Sequence, residues 1–322
     1  MKKLRVGIYG QNGHQIWNFL EGYDKVDFVA SAGVSEDNLS RYEVFRNGNL
    51  KTFDTLDDML REAGLDLVCL CSPMRSEQAR DAIKALSAGV SVYAEKPSAL
   101  SEEELDEILA VAKDSGAEFH EIADSAFTEP YKTMGRLIRE GEIGEVVQVF
   151  AQKSYPSSFS WRPEDERVDG GLTMQAGIHG ARFIEHTCGV KITDVKLFET
   201  SKGAPSEKPA LTTASSVIMR FENGGVGSMC INYYNPKTFG RWGYEIVRAF
   251  GTRGFIEITD GGRHTRLCNE NGCIVDFEAE EKPKDYFEMY CEHLLDGSEM
   301  PLTLEEELSP LRAVIRMKNS AK

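Results

Sequence analysis

A near-continuous apolar run, Leu65-Asp66-Leu67-Val68-Cys69-Leu70-Cys71, stops at Ser72-Pro73. A strand that is apolar on both faces must be covered on both, and this is how a strand inside a parallel sheet is built. The surrounding sequence has the period such a sheet needs. Leu4-Arg5-Val6-Gly7-Ile8-Tyr9 and Phe28-Val29-Ala30-Ser31 are strand-like. Thr55 with Asp58, then Leu56, Met59 and Leu60, then Gly64, spells a capped helix with a glycine stop. A helix with Ala79, Ile83 and Leu86 on one face runs to Gly89, and the next strand, Val90–Ala94, follows directly. Ser101-Glu102-Glu103-Glu104 is a capping box, and Leu105, Ile108, Leu109 and Ala112 make the apolar stripe of the helix behind it. Five alternations of strand and helix predict a doubly wound parallel sheet with right-handed crossovers.

The 322 residues suffice for two domains with cores of their own. Lys and Arg number 37 against 52 Asp and Glu, a net charge of −15, so a phosphate backbone is repelled and nucleic acid is not an expected partner. Lys2, Lys3 and Arg5 are followed at once by Gly7, Gly10, Gln11, Asn12 and Gly13, which leaves no apolar leader, and no run is long enough for a membrane span. The seven cysteines are odd in number and lack framework spacing. Cys69 and Cys71 suit small hydrophobes in a strand, and no second His/Cys pair joins Cys268 and Cys273, so no metal site is expected. A reducing cytoplasm is the expected location.

Two stretches of the first half carry chemistry. Gly10-Gln11-Asn12-Gly13-His14-Gln15 joins the first strand to a helical stripe begun by Ile16, Phe19 and Leu20. Strand, tight glycine turn and helix form the context of a dinucleotide fingerprint, with Asn12 and Gln15 where two of its glycines are usual. A carboxylate that would meet the adenosine ribose is missing from Ser31, Ala32, Gly33 and Val34. Arg41 lies further on, and the choice between NAD and NADP stays open. The other stretch is Val90-Ser91-Val92-Tyr93-Ala94-Glu95-Lys96-Pro97, a strand stopped by proline that leaves Glu95 and Lys96 at its carboxyl end. Ligands of open α/β sheets bind at that end, where a lysine either closes the strand as a surface charge or acts on a substrate.

Past Glu121–Asp124 the pattern changes. A helix over Tyr131–Glu140, with Met134, Leu137 and Ile138 inward, leads through Gly141-Glu142-Ile143-Gly144 into longer strands. Val146–Gln152, Ala214–Phe221, Gly225–Tyr233 and Tyr244–Phe250 are expected to pair as antiparallel neighbours, and Glu222-Asn223-Gly224-Gly225 marks a hairpin. The predicted fold is therefore α/β: a Rossmann domain over 1–123, then an α+β domain over 124–322 with a largely antiparallel open sheet.

Ala94-Glu95-Lys96-Pro97 behind a Rossmann-like half resembles the Glu-Lys-Pro signature of the Gfo/Idh/MocA oxidoreductases, NAD(P)-dependent dehydrogenases of sugars, polyols and cyclitols. Ser72-Pro73-Met74 resembles that family's Thr-Pro-Asn turn at the cofactor. Asp169-Gly170-Gly171-Leu172-Thr173-Met174-Gln175-Ala176-Gly177-Ile178-His179 resembles its Gly-Gly-x-Leu-x-Asp-x-Gly-x-His segment, with Gln175 in place of the Asp and Arg182 in place of a second acid. Trp161-Arg162 resembles an element near the nicotinamide or substrate.

The resemblance implies a division of labour. Gly10, Gln11, Asn12, Gly13, His14, Ser31, Ser72, Pro73, Glu95, Lys96, Pro97, Trp161 and Arg162 would hold NAD or NADP. Lys96 would stabilise the alkoxide, His179 would serve as general acid or base, and Gln175 would orient His179 without carrying a proton. It also implies a small sugar- or polyol-type substrate, approached at Ser125, Phe127, Thr128 and Glu129, and a homo-oligomer, dimer or tetramer, joined through the second sheet. Alternatives are a nucleotide-binding protein with impaired catalysis, or an NAD-dependent lyase or glycosidase on the same scaffold.

Overall fold

The computed structural model describes residues 2–14, 16, 23–41, 50–122, 124–279 and 284–321. Gln15, Phe19 and Leu20 lie outside them. The chain folds as two compact units. The first comprises Met1–Ile122, Arg167–Asp169 and Tyr286–Leu304, and the second Ala123–Glu166, Gly170–Asp285 and Glu305–Lys322.

The first unit is built on six parallel strands: β1 (Leu4–Gly10), β2 (Val26–Ala32), β3 (Lys51–Phe53), β4 (Leu67–Cys71), β5 (Ser91–Ala94) and β6 (Phe119–Glu121), in the order β3-β2-β1-β4-β5-β6. The apolar run that opened the sequence is β4, buried at every position. It pairs with β1 from Val6↔Leu67 to Gly10↔Cys71. The strand order reverses between these two, so the loops leaving them flank the crevice where doubly wound sheets bind ligands.

The described helices are α1 (Glu36–Arg41), α2 (Leu56–Glu62), α3 (Gln78–Ser87) and α4 (Glu102–Ser115). Thr55 caps α2, accepting from the Asp58 N–H, and Ser101 with Glu104 closes the expected capping box on α4.

A helix from far along the chain completes this unit. In α7 (Tyr286–Asp296), Tyr286, Phe287, Tyr290 and Cys291 are buried. Phe287 lies 5.0 Å from the Tyr93 ring and Tyr290 4.3 Å from the His120 ring, while Tyr290 Oη donates to the Glu118 carbonyl at 3.1 Å. Tyr93 and His120 face each other across β5 and β6, so one aromatic helix covers both strands.

The second unit carries eight strands: β7 (Val146–Pro156), β8 (Ile192–Thr200), β9 (Ala214–Phe221), β10 (Val226–Asn235), β11 (Tyr244–Gly251), β12 (Gly254–Thr259), β13 (His264–Asn269) and β14 (Gly272–Val275), in the order β14-β13-β12-β11-β7-β10-β9-β8. The hairpin at Glu222–Gly225 joins β9 to β10, with Gly224 at φ +84. One expected pairing is corrected: β7 and β10 run parallel, in register from Val226↔Gln148 to Asn232↔Ser154. The long connection that leaves β7 and returns through β8 and β9 makes that direction possible, since parallel neighbours need a crossover rather than a tight turn.

Two further helices of this unit are α5 (Tyr131–Arg139) and α6 (Gly171–Arg182), and α8 (Leu304–Ser320) belongs to it from Glu305 onward. α6 lies on the sheet through glycines. A Cβ on Gly180 would fall 2.1 Å from Met229 Sδ, and one on Gly177 would fall 2.9 Å from Ile231 Cδ1. On the other face, Phe198 of β8, Ile218 of β9, Val226 of β10 and Phe250 of β11 are exposed.

The cysteines lack framework spacing in the sequence, yet two of them pair in the structure. Cys268 and Cys273 are cross-strand partners in the β13–β14 hairpin and form a disulfide. A separation of five residues is uninformative until the hairpin register sets the two side chains opposite each other.

Candidate functional site

The loop after β1 is held by its contacts with the ends of β4 and β5. Gly10 has φ +71, and a Cβ there would lie 2.1 Å from the Cys71 carbonyl oxygen. Gly13 has φ +120, and a Cβ there would lie 2.6 Å from Glu95 Oε2. Both positions therefore exclude side chains, one through β4 and the other through Glu95. Asn12 donates its N–H to the Cys71 carbonyl at 3.2 Å and its Nδ2 to the carbonyls of Pro73 and Val168 at 3.2 and 2.6 Å. Gln11 turns toward the start of α1, where its Oε1 accepts from the Ser35 N–H at 3.0 Å and Asn38 Nδ2 at 2.7 Å. Ser31 is fully buried within β2, and the residue of that connection that approaches the loop is Gly33, whose Cβ would sit 3.6 Å from Gly10 Cα.

Glu95 is the hub beneath this loop. Its carboxylate accepts the His14 N–H, contacts His14 Nδ1 at 3.0 Å and accepts the Lys96 N–H at 2.9 Å. Complete burial pushes the carboxyl upward, but His14, Lys96 and Arg75 outweigh that and bring it down to about 2. Lys96 itself is 3% exposed and precedes Pro97 through a cis peptide bond.

Two residues not picked out as site residues on sequence complete the network. Arg75 is buried and donates to Gln78 Oε1 at 2.5 Å and to the Asn12 carbonyl at 2.7 Å. Gln78 accepts the Ser72 N–H at 3.1 Å and donates to the Glu95 carbonyl. The Ser72 hydroxyl points away from the loop and donates to Asp81 Oδ2 at 2.8 Å, and burial raises the Asp81 carboxyl above its ordinary range. Loop, β4 tip and β5 tip thus form one hydrogen-bonded body. The only sequence signal for Arg75 and Gln78 was their place directly after Ser72-Pro73.

These residues fit a dinucleotide. The two glycines leave the backbone bare at the switch point, where it can approach a pyrophosphate. Gly10→Ala should abolish saturable NADH binding and lower the unfolding free energy by about 1–2 kcal/mol or more, because αL strain adds to the clash with Cys71. Titration and thermal unfolding of that variant check both.

In the second unit, α6 is buried along its whole length except at Gln175 and His179, which are half-buried. They are four residues apart and so share a face. Ser125 Oγ lies 2.8 Å from His179 Nδ1. This serine, placed among the substrate-facing positions on sequence, is thus a partner of the histidine. A hydroxyl both donates and accepts, so the bond survives either tautomer of the imidazole. The start of α6 is secured by Thr173, which donates to Glu199 Oε1 at 2.6 Å, and by Lys318 of α8, which reaches Glu199 at 2.9 Å and Glu166 at 3.0 Å. Arg162 is buried, its guanidinium carbon 3.4 Å from the centre of the Tyr233 ring, whereas Trp161 beside it is exposed.

Residues 4–122 match the family model described as an oxidoreductase family with an NAD-binding Rossmann fold, and residues 131–257 match the GFO/IDH/MocA C-terminal domain. An uncharacterized oxidoreductase of Bacillus subtilis, YrbE, is 23% identical over 89% of this chain and 81% of its own length. The scyllo-inositol 2-dehydrogenase (NAD(+)) of the same organism is 24% identical over 73% of this chain and 67% of its own. A Thermotoga maritima structure assigned as an oxidoreductase superposes with a TM-score of 0.88 at 23% identity, covering 99% of this chain and 98% of that one, which establishes the shared fold. With both halves matched in order, the chain belongs to the Gfo/Idh/MocA family of NAD-binding oxidoreductases.

Proposed function

We propose that this oxidoreductase transfers a hydride between a nicotinamide cofactor and a hydroxyl-bearing carbon of a sugar, polyol or cyclitol. The observation that carries the reading is the β5 tip, where Lys96 follows a buried carboxylate held at about 2 and tied to the glycine loop. Bound NAD or NADP would supply the hydride acceptor. We assign the cofactor to the first unit, with Gly10, Gln11, Asn12, Gly13, His14, Ser72, Pro73, Glu95, Lys96 and Pro97 around it, and the substrate to the second. Arg75 and Gln78 then hold this cradle in place.

In alcohol oxidation the hydroxyl proton leaves as negative charge builds on oxygen. Lys96 donates to that oxygen. His179 takes the proton, with Ser125 fixing the imidazole through Nδ1 in place of the carboxylate that Gln175 replaces. The resemblance to a scyllo-inositol 2-dehydrogenase favours a neutral, polyhydroxylated substrate. The exposed apolar residues Phe198 and Ile218 support association of copies through the second sheet, since residues of that size at 64% and 60% exposure leave apolar area in water.

The assay mixes the protein with scyllo-inositol and NAD, then NADP, and follows reduced cofactor and ketone together. Net reduced cofactor equal to ketone is the expected result. Product without net reduction would overturn the reading in favour of a lyase route, which regenerates its cofactor.

A further inference from the structure

We propose that Glu121, at the carboxyl end of β6, is a positioning residue for Lys96: its carboxyl group holds the turn that follows the lysine and so keeps Lys96 where it meets the reacting oxygen. The proposal rests on the oxidoreductase reading above, in which Lys96 donates to that oxygen, and deepens it. Glu121 is fully buried, and its Oε2 accepts the Ser98 N–H at 2.7 Å. The sheet register brings it there. β5 and β6 are parallel neighbours with Ala94 opposite Glu121, so this side chain stands beside the strand end from which Glu95 and Lys96 emerge. The Ile122 N–H donates to the Ala94 carbonyl at 2.8 Å and fastens the two strands together directly before the lysine.

The backbone explains why a side chain is needed at this point. Past Ala94 the chain leaves the sheet but stays buried through Glu95, Lys96 and Ser98. Pro97 has no N–H to give. The N–H groups of Lys96 and Ser98 no longer have a strand partner, and a buried donor left unpaired costs more than an ordinary hydrogen bond returns. Glu95 Oε1 takes the Lys96 N–H at 2.9 Å, and Glu121 Oε2 takes that of Ser98. The carbonyls of Glu95 and Pro97 both accept from Gln78 Nε2, the second at 3.5 Å. Two glutamates, one from β5 and one from β6, thus hold the backbone on either side of Lys96.

The two glutamates have different tasks. Glu95 also binds His14 and so couples the lysine to the glycine loop. Glu121 acts on the far side, at Ser98, and the one residue between Ser98 and Lys96 is Pro97. A proline ring fixes its own φ, so a displacement of Ser98 passes to Lys96 with little slack. A donor displaced by about 1 Å from a reacting atom forfeits on the order of 10²-fold in rate. Loss of the Glu121 bond should therefore fall on the chemical step, while the loop that meets the cofactor keeps its own anchor.

The first test needs no substrate. Lysines of the full chain are trace-acetylated with acetic anhydride, and the rate at each is read by peptide mass spectrometry. In Glu121→Met, which fills similar space without an acceptor, Lys96 should label at least about fivefold faster, because its turn opens locally. Lys153, a buried lysine of the second unit, should keep its rate. Glu121→Gln retains an oxygen for the Ser98 N–H and should stay within about twofold of the wild type. Glu121→Asp keeps the carboxyl group but is one methylene short; it should behave as the methionine variant and serves if that one fails to fold. The second test follows turnover of scyllo-inositol with NAD. Glu121→Met should lower kcat about 10–10²-fold with NADH affinity unchanged, and Glu121→Gln should recover most of it. In a Lys96→Ala background the same replacement should cost less than about twofold, because no lysine remains to be placed.

Unchanged labelling of Lys96 in the folded methionine or aspartate variant would overturn the proposal, and it decides the matter even if scyllo-inositol is not turned over. Faster labelling at Lys153 as well would make Glu121 a support of the whole fold and overturn it too. So would an equal loss of rate with and without Lys96, or a glutamine variant as impaired as the methionine one, which would make charge rather than the bond to Ser98 the agent. Failure of the oxidoreductase reading has a separate signature: turnover that survives Lys96→Ala, whatever the labelling of Lys96 shows.

Discussion

Turnover of Lys96→Ala falls by at least about 10²–10³-fold, the cost of removing a donor from a developing oxyanion, while NADH still saturates the variant. The two halves of that expectation come from different parts of the β5 tip. Glu95 keeps its bonds to His14 and stays near Arg75 when Lys96 is removed, so the glycine loop keeps its anchor. What is lost is the positive donor for the substrate oxygen. Lys96→Arg retains the charge but spreads it over a planar fork of different reach, and it should recover only a small part of the rate. Single-turnover rates with saturating cofactor, beside a fluorescence titration with NADH, separate the two effects. Unchanged turnover in Lys96→Ala removes this residue from the mechanism.

His179→Ala should lose about 10²–10⁴ in kcat, the usual contribution of a positioned general acid or base. An imidazole titrates near ~6.5 when unperturbed, so the wild-type rate of alcohol oxidation should rise with pH through a limb near neutrality, and the variant should lack it. Glu95 cannot be the source of such a limb. Its carboxyl is held at about 2 and stays ionised throughout that range. Ser125→Ala leaves the imidazole in place but removes the partner of Nδ1 at 2.8 Å, and it should displace the limb while costing far less rate than loss of His179. A pH–rate profile of the three proteins is the check. A neutral limb that persists in His179→Ala would assign the proton to another group.

Much of the first unit was legible because each of its elements depends on local pattern. β4 is apolar at nearly every position and is buried at every position. Thr55 and Ser101 cap the helices they precede. Gly10 and Gly13 stand where no Cβ fits, and their neighbours in sequence already placed them in a turn between strand and helix. The candidate site was legible to the same depth. Glu95 and Lys96 at the end of a strand were visible, whereas the bonds from Arg75 to Asn12 and from Gln78 to Glu95 were not. Those bonds join three loops, and nothing local in Arg75 or Gln78 separates them from ordinary helix-start residues.

By itself, then, the sequence determined the parallel sheet and the glycine turn at its switch point, because periods of two and 3.6 residues sort side chains to one side or the other. Tertiary structure alone decided that Tyr286–Asp296 returns to cover Tyr93 and His120, that β7 and β10 run parallel, and that Cys268 faces Cys273. It also decided that Ser125 meets His179 and that Trp161 stacks on Trp242. Each of these depends on which distant stretch of chain arrives beside a residue. The relevant free energy belongs to the pair once it is brought together, and neither member carries it alone.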